Sequence, residues 1–178
     1  MTGGWFRRNR WGLIALVPVL VLALGLQLED VYEVYWKRQP REAVSPGPDG
    51  WVTYGDARIK LIALGPASDL EKYSGEPFTP PPGVAAWKAI IAIEATAKGI
   101  GACRLSLEDD AGRTYEASPS ELSGSRTSLA SCLPDGDPPP TSYRKDLYFA
   151  TPASARPVAV RITLTLQLPR YARLTAAS

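Results

Sequence analysis

The chain has no histidine. Ser-His-Asp and Cys-His nucleophiles therefore cannot be assembled from it. Histidine-ligated zinc and haem are excluded with them. Carboxylate-only chemistry remains, but no pair of acids is marked by its spacing for glycoside hydrolysis. Cysteine is nearly absent, with two in 178 residues, and neither lies in a C-x-x-C. A redox pair or thiolate metal site has no local motif to rest on. Excess charge is lacking too. All 18 acidic residues follow position 28, as do 17 of the 20 basic ones, a net of −1 beyond the first 28 residues. No basic field is left to attract nucleic acid. There is no internal repeat.

What the chain does have is an unbroken apolar run, Trp11 to Leu28, directly after Arg7, Arg8 and Arg10. Eighteen uncharged residues are about the minimum for a membrane-spanning helix. The arginines precede the run, and Glu29, Asp30 and Glu33 follow it. Basic flanks stay cytoplasmic, so the N-terminus is expected inside and residues 29–178 outside. Trp5, Phe6 and Trp11 at one edge, with Tyr32, Tyr35 and Trp36 near the other, resemble aromatic belts at the two interfaces. The competing reading is a cleaved secretory signal, with Ala23-Leu24-Gly25 as small-residue cleavage spacing. The length of the run and the Tyr/Trp-rich segment after it favour the uncleaved anchor. Pro18 sits mid-span, where a kink is tolerated.

The expected organisation is a cytoplasmic stub (1–10), a transmembrane helix (11–28), a juxtamembrane helix and linker (29–50), a β-sandwich (51–168) and a frayed tail (169–178). Pro40 should stop the helix, and the Pro/Gly-rich 41–50 reads as a stalk. From Trp51 the pattern turns strand-like. Residues 57–64 alternate, and 86–97 carry apolar residues on both faces, as a central strand does. Residues 104–108 and 113–117 flank an Asp-Asp-Ala-Gly turn and read as a hairpin. Residues 144–150 form a strand with Leu147 and Phe149 inward. Residues 158–168 give the cleanest period-2 pattern. Two proline-rich stretches, 65–84 and 118–142, read as long loops. Six or so strands without an amphipathic helix imply an all-β, immunoglobulin-like β-sandwich.

Cys103 and Cys132 both fall on the exported side, where an even count implies a disulfide. Closing that loop would stabilise by about 3–4 kcal/mol in the chain-entropy model. Glu108, Asp109 and Asp110, with Asp135 and Asp137, offer oxygens for calcium. The plainer reading makes both groups turns, and no metal is assigned. Tyr54, Tyr73, Phe78 and Tyr143 sit in or beside expected loops and are candidate partner-binding residues; plugging those loops is the alternative. Ser120 to Ser128 reads as a flexible loop, with a glycosylated stretch as the other reading.

The order of elements resembles a known group. Trp51 to Leu64 resembles an opening strand pair, and Trp87 to Thr96 the strand that follows. Leu105 to Tyr115, with Leu107, Asp109, Gly112 and Tyr115 in register, resembles "f.L.D..G..Y". Leu147 to Pro152 followed by Val158 to Leu166 resembles "l.F.vP…..l.l". Together these are similar to the telokin-like, immunoglobulin-type extracellular domains of bacterial membrane-anchored proteins, the DUF4352-like group. The asparagine usual after the central strand is absent, and Ala97-Lys98-Gly99 stands there. The cysteine pair is a second departure. The resemblance implies an extracytoplasmic sandwich and no catalytic residues.

The expected function is a membrane-anchored binding or scaffolding module, an accessory of a cell-envelope complex. It is expected not to be an enzyme and to need no cofactor. An envelope sensor or regulator, and a domain secreted after signal cleavage, are the alternatives. The expected partners are the membrane and an integral membrane or envelope protein, with no nucleic acid; a small-molecule ligand stays open.

Overall fold

The computed structural model describes residues 3–95, 100, 102–127, 130–134 and 141–175. It divides into two units, residues 1–39 and 40–178.

The first unit is helix α1, Gly3–Val31, followed by a π-helical turn over Tyr32–Trp36. A 29-residue helix is about 43 Å long, more than a bilayer's hydrocarbon core. The window Arg8–Gly25 has a mean hydropathy of 1.3, long and apolar enough to cross a membrane. Pro18 lies inside the helix. The side chains of Trp11, Val17, Val21 and Leu22 are all exposed.

The second unit is a β-sandwich of two sheets. One has the strand order β2-β3-β4-β7, with β2 Trp51–Tyr54, β3 Ala57–Pro66, β4 Val84–Ala95 and β7 Ser142–Pro152. The other runs β1-β9-β8-β5-β6, with β1 Glu42–Val44, β5 Cys103–Asp109, β6 Thr114–Glu116, β8 Pro157–Leu164 and β9 Arg170–Thr175. Strand β4 is central, as its two apolar faces suggested. Rows Ile59–Ile93–Tyr143 and Leu61–Ile91–Lys145 cross it on the inner face. Facing them are Leu105, Leu107, Val160, Ile162 and Leu174, all buried in the same core. Each such aliphatic side chain contributes about 1.5–3 kcal/mol when removed from water. The hairpin forms as expected, with Leu107 opposite Tyr115. Ile62 faces outward by alternation, and there the β3–β4 register slips, which turns Ala63 outward as well and Leu64 toward the core.

Three boundaries differ from the sequence expectation. The linker contains a strand, since β1 pairs in parallel with β9. The tail is no frayed end: β9 lies between β1 and β8. Its buried positions are Tyr171, Ala172 and Leu174, and the small alanine on the core face hid the strand period. Strand β8 stops at Leu164, where the chain enters a 3-10 turn over Thr165–Gln167.

The two proline-rich loops are packed. Lys72 bridges to Ser125, so one loop ties to the other. Together they cover the outer face of β4 and β7 with a second small core of Leu70, Ala86, Leu122 and Ala150, joined by Phe78 and Tyr148.

Candidate functional site

The sandwich has two ends with different chemistry. At the proximal end the chain joins the domain: the Arg41 and Glu42 amides donate to the Pro169 carbonyl at 2.8 and 3.1 Å. The β2–β3 turn lies at this end, and so does the start of β5, because Cys103 pairs with Leu164. The distal end holds the β5–β6 turn, linked to the β7–β8 turn by Asp110 N–H to Arg156 O at 2.9 Å. The β3–β4 loop meets it there through Ala153 N–H to Gly83 O at 2.9 Å.

The described depressions cluster at the proximal end. One, of about 260 Å³, is lined by Ile100, Ala102, Leu164 and Leu166 with Asp56 and Gln167. A second, of about 510 Å³, lies between Asp56, Arg58, Glu94 and Thr141. A third, of about 360 Å³, lies between Val44, Thr53, Gln167 and Arg170. Gly55 and Asp56 border all three. Gly55 has φ +61, and a Cβ there would meet Leu164 Cδ1 at 3.1 Å, so glycine both permits the turn and leaves room for it. The first is lined in good part by apolar side chains, which suits an inserted apolar group, and the third mainly by polar ones. No sequence motif marked this region; the only signal was the leucine pair Leu166 and Leu168 around Gln167, read there as strand.

The four aromatic candidates separate. Tyr54 is 2% exposed, a core residue rather than a loop one, and it borders the third depression. Its hydroxyl donates to Arg170 O at 2.8 Å and accepts from Leu164 N–H at 3.1 Å. Burial raises its pKa, with the Leu164 amide opposing. Phe78 is half-buried in the second core, where it meets the position a Gly124 Cβ would take at 3.0 Å. Tyr143 is half-buried and donates to Cys132 O at 2.6 Å; burial raises its pKa. Tyr73 alone of the four is open, at 75% exposure, in the connection between β3 and β4.

Cys103 and Cys132 form a disulfide with 6.0 Å between their Cα atoms. Cys132 is fully buried in the main core. The bridge pins the long β6–β7 connection to the start of β5.

The acidic residues of the hairpin are committed to structure. Asp109 Oδ1 accepts from the amides of Ala111 and Arg113 at 3.0 and 2.9 Å. Its Oδ2 accepts from Arg113 Nε at 2.7 Å and from Tyr115 O–H at 3.0 Å. Burial would raise this carboxyl's pKa, but the hydrogen bonds from Arg113 and Tyr115 outweigh it and hold it below the usual range. Glu108 receives Arg161 Nε at 2.6 Å and Arg173 through both oxygens at 3.0–3.2 Å. Burial again opposes, and the two guanidinium groups win, lowering its pKa. These two residues are therefore a turn and an ion triad, not calcium ligands. Asp135 and Asp137 lie outside the described residues. Among the described residues no group of three or more acids, cysteines or histidines is placed to hold a metal.

One further cluster sits on the outer face of β4 and β7. Lys88 bonds Asp69 and reaches Asp146 at 2.8 Å, and Tyr148 O–H donates to Asp69 at 3.0 Å. Lys88 Nζ also stands 5.4 Å from the Tyr148 ring centroid. Hydrogen bonds to Asp146 and Asp69 raise the Lys88 pKa. The amine is held charged, the opposite of what a nucleophilic lysine requires.

No family model and no curated protein matches the chain. The chain is similar to three solved structures. An uncharacterised β-sandwich protein from Clostridium difficile is 12% identical, with a TM-score of 0.43 over 77% of this chain and 96% of that one. A conserved hypothetical protein from Bacillus anthracis is 9% identical, with a TM-score of 0.43 over 70% and 92%. A secreted protein from Mycobacterium tuberculosis is 14% identical, with a TM-score of 0.38 over 70% and 85%. At these scores the likenesses add nothing to the reading of the site.

Proposed function

We propose that this chain is a membrane-anchored, extracytoplasmic binding or scaffolding module whose sandwich is of the immunoglobulin-like, telokin-like kind. The observation that carries the proposal is the coupling of an exposed apolar helix to a disulfide-stapled β-sandwich. A disulfide of this kind belongs in an oxidising compartment. The basic residues before the helix orient the sandwich outward. The polar groups described above are engaged in ion pairs and turns, which supports recognition over catalysis. The proximal depressions around Gly55 and Asp56 are the surface offered to a protein partner of the envelope.

The test is to express the full chain in a bacterial host and extract the membranes with alkaline carbonate. The anchored chain stays in the pellet at full mass, and external protease degrades its sandwich in spheroplasts. A shortened chain recovered in the soluble periplasm or medium would establish signal cleavage and overturn the anchor. Crosslinking in intact cells then identifies the partner.

A further inference from the structure

We propose that the outer face of the β5–β8–β9 sheet carries an oxyanion site, in which Arg161 and Arg173 hold a compact monovalent group, a carboxylate or a phosphate diester. The site shares no residue with the proximal depressions and does not depend on the anchor. Leu107, Val160, Ile162 and Leu174 face the core, so Glu108, Arg161 and Arg173 alternate to the other side. Arg161 and Arg173 are direct cross-strand partners. Like charges at such positions repel. Glu108 holds them together from β5, accepting Arg161 Nε at 2.6 Å and Arg173 Nε and Nη2 at 3.0–3.2 Å. Its own cross-strand partner on β8 is Ala159, too small to block that reach.

One arginine would neutralise Glu108. The second leaves the trio with one positive charge in excess. Glu116 of β6 stands on the same face, opposite Ser106, but it faces Arg104 at 3.8 Å. The bonds to Glu108 use neither Nη of Arg161 and only one of Arg173. Both arginines stay partly open, at 21% and 30% exposure, while Glu108 is nearly covered. The centroid of the buried Tyr171 ring lies 4.9 Å from Arg161 Cζ, a contact that steadies the guanidinium plane. Two planar forks with donors to spare suit an oxyanion, which guanidinium groups bind in bidentate fashion. Because the forks are already ordered, binding costs little side-chain entropy. The single surplus charge is matched by a monovalent group.

The experiment titrates the isotope-labelled full chain, in a non-ionic detergent, with acetate and separately with dimethyl phosphate. Each anion replaces chloride at constant ionic strength, and the arginine Nε–H signals are followed by NMR. The proposal expects the Arg161 and Arg173 signals to move together and to saturate with one dissociation constant for at least one anion. The tighter of the two identifies the group as carboxylate or phosphate diester. Arg161→Gln should weaken binding at Arg173 about tenfold or more, since charge-assisted bonds are lost. Arg104→Gln, on the same face, should leave it unchanged. Linear, unsaturated shifts with both anions in the unaltered chain would overturn the site, whether or not the variants fold. Undiminished saturation in Arg161→Gln would place the anion elsewhere and overturn it as well.

Discussion

Tyr54 and Arg170 are 116 residues apart, yet the Tyr54 hydroxyl donates to the Arg170 carbonyl at 2.8 Å. With the Leu164 amide returning a bond at 3.1 Å, one phenol joins the edge of one sheet to the β8–β9 turn of the other. Tyr54→Phe leaves a carbonyl and an amide without this partner. Unsatisfied buried groups cost about 1–3 kcal/mol each, partly recovered where water enters. A loss of about 2 kcal/mol in denaturant unfolding is expected. Tyr73→Ala, at an open position, should shift stability by less than about 0.5 kcal/mol. Equal effects at the two positions would remove the distinction drawn between them.

Glu108 and Asp109 make the sandwich acid-sensitive. Both carboxyls are held below their ordinary pKa in the fold. A depressed acid contributes stability that is present above its unfolded pKa, about 4, and is lost as pH falls through its folded value. Stability should therefore be flat from about pH 7 to 5 and decline below about 4. Glu108→Gln should lower stability at neutral pH and flatten part of the acid limb. An unchanged slope in that variant would mean other groups carry the transition. Because Arg161 and Arg173 remain partly exposed, the neutral-pH loss should be about 2–3 kcal/mol, less than for a fully buried pair.

The disulfide closes a loop of 29 residues. Reduction, or replacement of both cysteines by serine, should lower stability by about 3–4 kcal/mol. The denaturation midpoint with and without reductant measures this. A midpoint that ignores reductant, with the bridge confirmed broken by mass, would show that the β6–β7 connection is held by its packing and by Tyr143 instead.

Much of this architecture could be read from the chain because strands with one wet face write their period plainly. Residues 158–164 and the 104–117 hairpin are of that kind. The motif residues Asp109, Gly112 and Tyr115 were visible too, and their meaning is now physical: Tyr115 and the turn amides converge on Asp109, and Gly112 takes φ +77. Strands β1 and β9 were hidden. Three residues are too few to show a period, and β9 presents alanine where a large side chain would mark the core. Tyr54 was misplaced for a related reason. A residue one step from a Gly-Asp turn looks like loop, and only a partner 116 positions away reveals it as core. The proximal depressions were illegible because they are made from four separate connections, with no local motif in any of them.

The second core gives the last prediction. A Cβ on Gly124 would stand 3.0 Å from Phe78 Cε2, tighter than nearly all real Cβ contacts. Phe78 must then move, and its ring is one wall of the small cluster between the two loops. Gly124→Ala should cost about 1–3 kcal/mol as overpacking does. Phe78→Leu alone should cost somewhat less, by loss of contact area. Combined, the smaller side chain vacates the space the new methyl needs, so the double variant should be more stable than the sum of the singles by about 0.5–2 kcal/mol. Unfolding of the four proteins closes the cycle. Simple additivity would mean that the two loops are not packed against each other through this pair, and that the outer face of β4 and β7 is covered by something weaker than a core.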